Sequence, residues 1–235
     1  MSTIASNPPL SVPAVEVPPL CAGDRLSRDE FERRHAASPH VAKAELIEGV
    51  VYVQFAIRFD HGFATSALNL WLGAYAAEIP GTRAFNNTSI RLDLDNEPQP
   101  DVGMFIEPPH GQVQYGADHY LEGAPELVAE ASLTTASYDL HDKLNAYRRN
   151  GVKEYVVWRI ADRKIDWFIL RGGRYEQLPP GASGNFQSEV FPGLWLDKDA
   201  MLAGDMRRVL QVVQHGIASA ECLEFANRMR SSGAK

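Results

Sequence analysis

One long segment of the chain carries its apolar residues at a helical spacing. They recur at intervals of three and four residues between positions 61 and 79, as Ala64, Leu68, Leu72, Tyr75 and Ile79. This spacing places them on one face of a helix. The following Pro80-Gly81 predicts where the helix ends. Residues 61–79 are therefore predicted to form a helix with one buried face.

Three other segments are predicted to be helical. Ser27 and Glu30 have the spacing of a capping box at the start of a helix over residues 27–37. Residues 138–150 form a second helical pattern, and Gly151 is placed to end it in the left-handed conformation. Residues 200–229 supply further helical material at the carboxyl end.

Short apolar runs separated by turn residues predict the strands. Residues 45–47 and 50–53 flank Glu48-Gly49, which is the pattern of a two-residue β-hairpin. Further strands are predicted at residues 88–94, 101–106, 127–131, 154–160, 164–170 and 174–178. Residues 108–124 are predicted to be a loop. The order of elements predicts a mixed α/β (α+β) fold with a central mixed sheet flanked by helices.

Length and composition favour one folded domain with extensions. The chain has 235 residues, and five prolines among the first 19 predict an extended arm over residues 1–22. The main domain is predicted to span 23–198, followed by a C-terminal helical extension over 199–235. No run approaches the roughly 18 apolar residues of a membrane span. The two distant cysteines, Cys21 and Cys222, suggest neither a disulfide framework nor a zinc site, so we expect a cytoplasmic protein.

The charge balance limits how the protein can bind nucleic acid. Lys and Arg number 23 and Asp and Glu number 30, which gives a formal net charge of −7. This net charge disfavours binding of nucleic acid through bulk positive charge alone. Any contact with nucleic acid must be local.

Two carboxylates on neighbouring predicted strands are candidates for chemistry. Asp101 begins one strand and Glu130 lies inside the apolar run at 127–131. Because the chain between them is mostly loop, the two strands can lie side by side and bring both carboxylates to one edge. Mg²⁺ is commonly held by one or two carboxylates together with water.

The helix after Glu130 adds a possible third component. Asp139 and Lys143 are four residues apart and share a helix face, with Tyr147 one turn further. A lysine beside two carboxylates and a metal can orient or deprotonate a water and stabilise phosphate charge. Each residue also has a plainer interpretation: Asp101 as a turn cap, Asp139 with Lys143 as a surface ion pair, and Tyr147 as a core aromatic. From the residues alone, the metal site is one possibility among these.

The order of motifs along residues 26–197 resembles a known family. The motifs are LSRDEF at 26–31, AELIEGVVY at 44–52, HG at 61–62, QPDV at 99–102, YLEGAPELVAEAS at 120–132, YDLHDKLNAY at 138–147, GVKEY at 151–155 and FPGL at 191–194. This order resembles the Uma family of restriction endonucleases within the PD-(D/E)XK nuclease superfamily. The resemblance implies a restriction-endonuclease-like fold.

The resemblance also implies roles for individual residues. Asp101 and Glu130 match the superfamily's Mg²⁺-binding acids, the backbone carbonyl of Ala131 is a further possible ligand, and Glu45 matches the early acid that completes the metal shell. The superfamily's lysine lies two residues after the second acid, where this chain has Ser132. Lys143 is expected to replace it from the helix, with Asp139 holding its ammonium group. His61 matches a family position but is expected to cap a helix or pack as a polar residue.

The function implied is Mg²⁺-dependent endonucleolytic hydrolysis of DNA phosphodiesters, with Mn²⁺ as a possible substitute. Two alternatives stay open: a non-catalytic binding or regulatory module that keeps the nuclease fold, and a metal-dependent phosphoesterase acting on RNA or a small phosphate ester. Arg148, Arg149 and Lys153, with Lys43 and Arg58, are candidates for a basic rim that binds substrate. A homodimer is expected, and apolar residues of the C-terminal helices are candidates for its interface: Leu202, Val209, Val212 and Val213.

Overall fold

A computed structural model describes residues 17–54, 57–133 and 136–232. Its helices are α1 (Arg28–Ala36), α2 (Phe59–Glu78), α3 (Ala136–Tyr138), a π-helical turn (Asp139–Lys143), α4 (Leu144–Asn150), α5 (Lys198–Ala203), α6 (Met206–Ile217) and α7 (Ala220–Ser232). Its strands are β1 (Ala44–Ile47), β2 (Val50–Val53), β3 (Thr82–Asn86), β4 (Ile90–Arg91), β5 (Val102–Ile106), β6 (Gln114–Tyr115), β7 (Leu121–Glu122), β8 (Leu127–Ser132), β9 (Glu154–Arg159), β10 (Lys164–Arg171), β11 (Arg174–Gln177), β12 (Phe186–Gln187) and β13 (Trp195–Leu196). None of the described helices is both long enough and apolar enough to span a membrane.

Six strands form the central sheet in the order β11-β10-β9-β8-β5-β3. Strands β8 and β9 pair in parallel, and the other neighbours pair antiparallel. The connection between the parallel strands runs through α3, the π-helical turn and α4, because parallel neighbours need a crossover. The predicted mixed sheet with flanking helices is confirmed.

The sheet buries apolar residues on both faces. Along β8, Leu127 and Ala129 face the larger core, which includes α2, whereas Val128 faces a smaller core built around Tyr147 of α4 and Tyr155 of β9. Side chains on a strand alternate between faces, so Glu130 lies on the same side as Val128. This alternation points the Glu130 carboxylate towards the π-helical turn.

The C-terminal helices belong to the larger core. Val209 and Val213 of α6 and Cys222 and Phe225 of α7 are buried together with Trp71 of α2. Val212 is only 4% exposed. The expectation that Val209, Val212 and Val213 offer a dimer interface is therefore wrong, because the chain buries them against itself.

Several local predictions hold and others fail for identifiable reasons. The hairpin is confirmed, with Glu48 and Gly49 at φ 52° and 72° between β1 and β2. The capping box is wrong: the Ser27 side chain makes no cap hydrogen bond, and the Glu30 carboxylate pairs with Arg33 and Arg34 instead of reaching back to Ser27.

The strand at 88–94 is reduced to β4, whereas β3 was not predicted and its residues 82–86 form the edge of the central sheet. The predicted loop at 108–124 contains the short strands β6 and β7, which pair with each other, and β7 also pairs with β4. At the amino end, residues 1–16 of the predicted arm lie outside the described chain, and Leu20 packs with Phe31 and Leu46.

Candidate active site

Asp101 and Glu130 lie side by side on adjacent strands. Val102 pairs with Ala129 across β5 and β8, so Asp101, immediately before β5, lies next to Glu130. The Asp101 N–H donates to Glu130 Oε2 at 3.2 Å, and the Ala131 N–H donates to Asp101 Oδ2 at 2.9 Å. Both side chains are 3% exposed. The predicted convergence of the two strands is confirmed.

Lys143 contacts two carboxylates from the end of the π-helical turn. Its Nζ donates to Glu130 Oε1 at 2.8 Å and lies 2.9 Å from Glu45 Oε1. Lys143 and Glu45 are 2% and 1% exposed. The Gln99 N–H also donates to Glu45 Oε1, at 2.7 Å. Lys143 therefore links the acid of the first hairpin to the acid of the central sheet.

Tyr147 and Asp139 belong to the same buried cluster. The Tyr147 hydroxyl donates to Glu130 Oε1 at 3.0 Å, and the Tyr155 hydroxyl donates to the backbone carbonyl of Asp139 at 3.0 Å. Asp139 and Lys143 are both buried, so the interpretation of the two as a solvated surface ion pair is wrong. The negative charge of Asp139 contributes to holding Lys143 protonated.

Burial and neighbouring charges shift the pKa values of Glu130, Asp101 and Lys143 in different ways. Burial raises the pKa of Glu130 to about 8, against the opposing charge of Lys143. Burial would also raise the pKa of Asp101, but the hydrogen bond with His61 and the charge of Lys43 outweigh it, so this pKa lies below its usual value. Burial alone would lower the pKa of Lys143, but Glu130 and Glu45 raise it well above its usual value. Lys143 is therefore a buried ammonium ion near neutral pH.

Two further side chains contact Asp101. Lys43 Nζ lies 3.3 Å from Asp101 Oδ1 and donates to Asn87 Oδ1 at 3.1 Å, and His61 Nε2 lies 3.2 Å from Asp101 Oδ2. The interpretation of His61 as only a helix cap or packed polar residue missed this contact. The sequence carried one signal that Lys43 belongs to the site. Lys43 lies two residues before Glu45, so the two residues share one face of an extended segment.

Ser132 occupies the position where the superfamily's lysine was expected. It ends β8 and is buried, and its carbonyl accepts from the Ile160 N–H at 2.9 Å. The lysine that reaches Glu130 comes instead from the crossover helix. The ammonium group beside the acid pair therefore comes from the π-helical turn and not from β8.

The acid pair fits a hard divalent cation by the chemistry of its donors. Mg²⁺ needs one or two carboxylates and completes its shell with water, and Asp101 and Glu130 supply two adjacent, buried carboxylates. No three His, Cys, Asp or Glu side chains within residues 17–54, 57–133 and 136–232 stand as ligands would around a metal ion. A metal site here would rest on the acid pair, with the Ala131 carbonyl beside it.

Of the predicted basic rim, Lys43 contacts Asp101, whereas Arg148, Arg149 and Lys153 are not joined to this cluster. Arg148 donates to the Gly173 carbonyl at 3.0 Å. Arg149 pairs with Glu48 at 3.0 Å, and Lys153 pairs with Glu126 at 3.6 Å. None of these partners contacts Asp101 or Glu130, so the substrate-binding role of the three residues stays a prediction.

The central mixed sheet, the acid pair on adjacent strands and the buried lysine define a protein of the restriction-endonuclease-like class. A family model described as "Uma2: Putative restriction endonuclease" matches residues 28–199. The chain belongs to this family, which is consistent with a nuclease function.

A solved structure has the same fold. It is a crystal structure of "a putative nuclease belonging to DUF820" from Anabaena variabilis, with a TM-score of 0.55 and 14% sequence identity. The similarity covers 80% of this chain and 99% of that chain. No curated protein matches the sequence.

Proposed function

We propose that the protein is a Mg²⁺-dependent endonuclease that hydrolyses DNA phosphodiester bonds, with Mn²⁺ as an alternative cation. The observation that carries the proposal is the contact of buried Lys143 with Glu130, 2.8 Å away, beside Asp101 on the neighbouring strand. Lys143 thereby supplies the lysine that the superfamily has at the position of Ser132. Family membership supports the same class of chemistry.

In this proposal Asp101 and Glu130 would hold the metal, with the Ala131 carbonyl and Glu45 completing its surroundings. When bound, Mg²⁺ activates a water molecule and shields negative charge that develops on the phosphate. Asp101 has a lowered pKa and stays ionised, so it can serve as a ligand over a wide range of pH.

Lys143 would position groups and stabilise charge. Because its pKa is raised by Glu130 and Glu45, it holds its proton and does not act as a base near neutral pH. As an ammonium ion it orients the Glu130 carboxylate, can donate to the attacking water, and stabilises the charged phosphate. Tyr147 fixes the same Glu130 oxygen at 3.0 Å.

Lys43 would help to place the phosphate. It is 12% exposed and lies at the side of Asp101, so its positive charge lies closer to the surface than that of Lys143. Local positive charge of this kind is needed in a chain with a net charge of −7.

The test is nicking of supercoiled plasmid in Mg²⁺ or Mn²⁺ by purified wild type, Glu130→Gln and Lys143→Met. Glu154→Gln is the matched control, because Glu154 is equally buried on adjacent β9 but contacts Ser188 and Glu189 instead of the cluster. We expect losses of at least about 100-fold for the two site variants and none for the control. Chelation by EDTA should abolish activity. Metal-independent nicking, or full activity in either site variant, would refute the proposal.

A non-catalytic module is the second candidate. It is favoured by the fact that both Asp101 oxygens are already engaged, by Lys43 on one side and by His61 and the Ala131 N–H on the other. Thermal unfolding with added Mg²⁺ separates the two functions. A metal site should raise the Tm of the wild type and not that of Asp101→Asn, whereas Mg²⁺-independent stability together with absent nicking would favour the module.

The third possibility, a phosphoesterase for RNA or a small phosphate ester, is tested by offering those substrates under the same conditions. A homodimer is also proposed, since two paired subunits would present one site to each DNA strand. Light scattering that gives a particle of 26.0 kDa at high concentration would exclude it.

A further inference from the structure

Two phenylalanines form an exposed aromatic surface at the start of α2. The Phe59 and Phe63 side chains are 83% and 41% exposed. Their ring centroids are 6.4 Å apart and the ring planes differ by 28°. Because the residues are one helical turn apart, the two rings lie next to each other on the same face of α2.

These two rings are not part of the apolar face that packs α2 against the core. The opposite face of α2 is buried through Ala64, Leu68, Trp71 and Tyr75, so the helix is held by a complete apolar stripe. Phe63 approaches the turn at Gly204, but Phe59 remains almost wholly in solvent. Large aromatic side chains exposed in this way commonly mark a binding surface.

The aromatic surface lies on the same first turns of α2 as one residue of the candidate active site. His61 lies between the two phenylalanines in the sequence, and its Nε2 contacts Asp101 Oδ2 at 3.2 Å. Because residues two apart lie on opposite sides of a helix, α2 presents His61 to Asp101 on one side and the two rings to solvent on the other. A shallow groove of about 460 Å³ runs beside the rings and is also lined by Ile57, Arg58 and Ser66. Among its described lining residues the charged one is Arg58, which suits an anionic ligand.

We propose that Phe59 and Phe63 stack against unpaired bases of a DNA strand, with Arg58 contacting the adjoining phosphate. This inference rests on the proposed nuclease function and names the form of substrate that its site takes. Base stacking on aromatic rings tolerates any sequence and adds affinity that does not depend on charge. It thereby offers a chain of net charge −7 a way to hold DNA at the end of α2 that also carries His61.

The size of the surface favours a base over a second copy of the chain. A standard protein interface buries roughly 800 Å² on each partner, whereas one aromatic side chain buries about 150–250 Å². Phe59 and Phe63 together supply at most about 500 Å², or roughly three fifths of that area. They match one or two bases more closely than a dimer interface.

The test measures binding without catalysis. Fluorescence anisotropy in EDTA compares labelled oligothymidylate with an abasic strand of the same length, which has the same phosphates and lacks the bases. We expect the wild type to bind oligothymidylate about tenfold more tightly or better. The double variant Phe59→Ala/Phe63→Ala should bind both strands alike. Leu70→Ala, which changes another exposed apolar residue of α2, is the control and should match the wild type.

Phe59→Trp supplies a second check, since a larger ring should retain the preference for bases. Equal binding of the two strands by the wild type would overturn the inference. So would a double variant whose loss of binding accompanies a change from dimer to monomer in light scattering. Preferential base binding without any metal-dependent cleavage would support the stacking surface while refuting the nuclease. Metal-dependent cleavage without a preference for bases would support the nuclease and refute the stacking surface.

Discussion

Replacing Lys143 by Met should destabilise the fold through the acids that it leaves behind. Lys143 lies 2.8 Å from Glu130 Oε1 and 2.9 Å from Glu45 Oε1, and all three side chains are at most 3% exposed. Met has a similar length and fills much of the same space, so little cavity forms. The cost comes from Glu45, which is left as a buried carboxylate without its cation, for which about 3–5 kcal/mol is typical. Glu130, with a pKa of about 8, takes up a proton near neutral pH instead.

Replacing Glu130, the acid partner of Lys143, should cost less stability than replacing Lys143. Glu130→Gln keeps an oxygen that accepts from Tyr147 and leaves Lys143 paired with Glu45, so we expect a loss of about 1–2 kcal/mol. In Lys143→Met the Glu130 side chain is already protonated near neutral pH. The double variant Lys143→Met/Glu130→Gln should therefore be about as stable as Lys143→Met alone, within about 0.5 kcal/mol.

The assay is urea unfolding of the four proteins, followed by the fluorescence of tryptophans such as Trp71 and Trp167, which lie in the larger core. The reasoning is refuted if Lys143→Met loses less than about 1 kcal/mol, which is below the range for an uncompensated buried charge. It is also refuted if adding Glu130→Gln changes the stability of Lys143→Met by clearly more than about 0.5 kcal/mol.

Two other predictions concern pH and backbone conformation. Burial raises the pKa of Glu154 from about 4.5 to about 7, so the folded protein binds this proton more tightly than the unfolded chain. Stability from Glu154 is full below pH 4.5 and is lost as the pH rises to 7, by up to about 3 kcal/mol. Urea unfolding at both pH values should show this loss in the wild type and a smaller one in Glu154→Gln; equal losses would contradict it. Gly193→Ala should destabilise more than Gly151→Ala. Both glycines have positive φ, but a Cβ at Gly193 would lie 2.6 Å from the Gly216 carbonyl oxygen, whereas at Gly151 it meets open space. Gly151→Ala should cost about 1 kcal/mol, and similar losses in the two variants would contradict the assigned crowding.

The regular elements could be predicted where local pattern and tertiary packing agree. The apolar stripe of α2, the Glu48-Gly49 hairpin and the left-handed Gly151 depend on nearby residues alone. Strand β3 escaped prediction because its polar residues form the edge of the sheet, where pairing with β5 determines the conformation. The capping box failed because two arginines compete for Glu30.

The residues of the candidate site also fall into those that local sequence could predict and those that it could not. Glu130 could be singled out because a carboxylate inside an apolar strand needs a partner, and Asp101 because its strand could lie beside that one. The helical spacing after Glu130 suggested Lys143, and the resemblance to a nuclease family added its role as the replacement lysine and the acid Glu45. The contacts of Lys43 and His61 with Asp101 join segments 58 and 40 residues away in the sequence, and no local pattern encodes such distances.

The sequence by itself determined the longer helices, most strands of the central sheet, the mixed class of the fold and the two acids. Periodicity and the cost of burying a charge depend on neighbouring residues, so a local pattern carries them. Tertiary structure alone decided which cation each acid meets, that Lys143 is buried, and that the C-terminal valines belong to the core. These outcomes depend on the pairing of β5 with β8 and on the packing of helices across the sheet. Such long-range contacts place residues beside each other that the sequence keeps far apart.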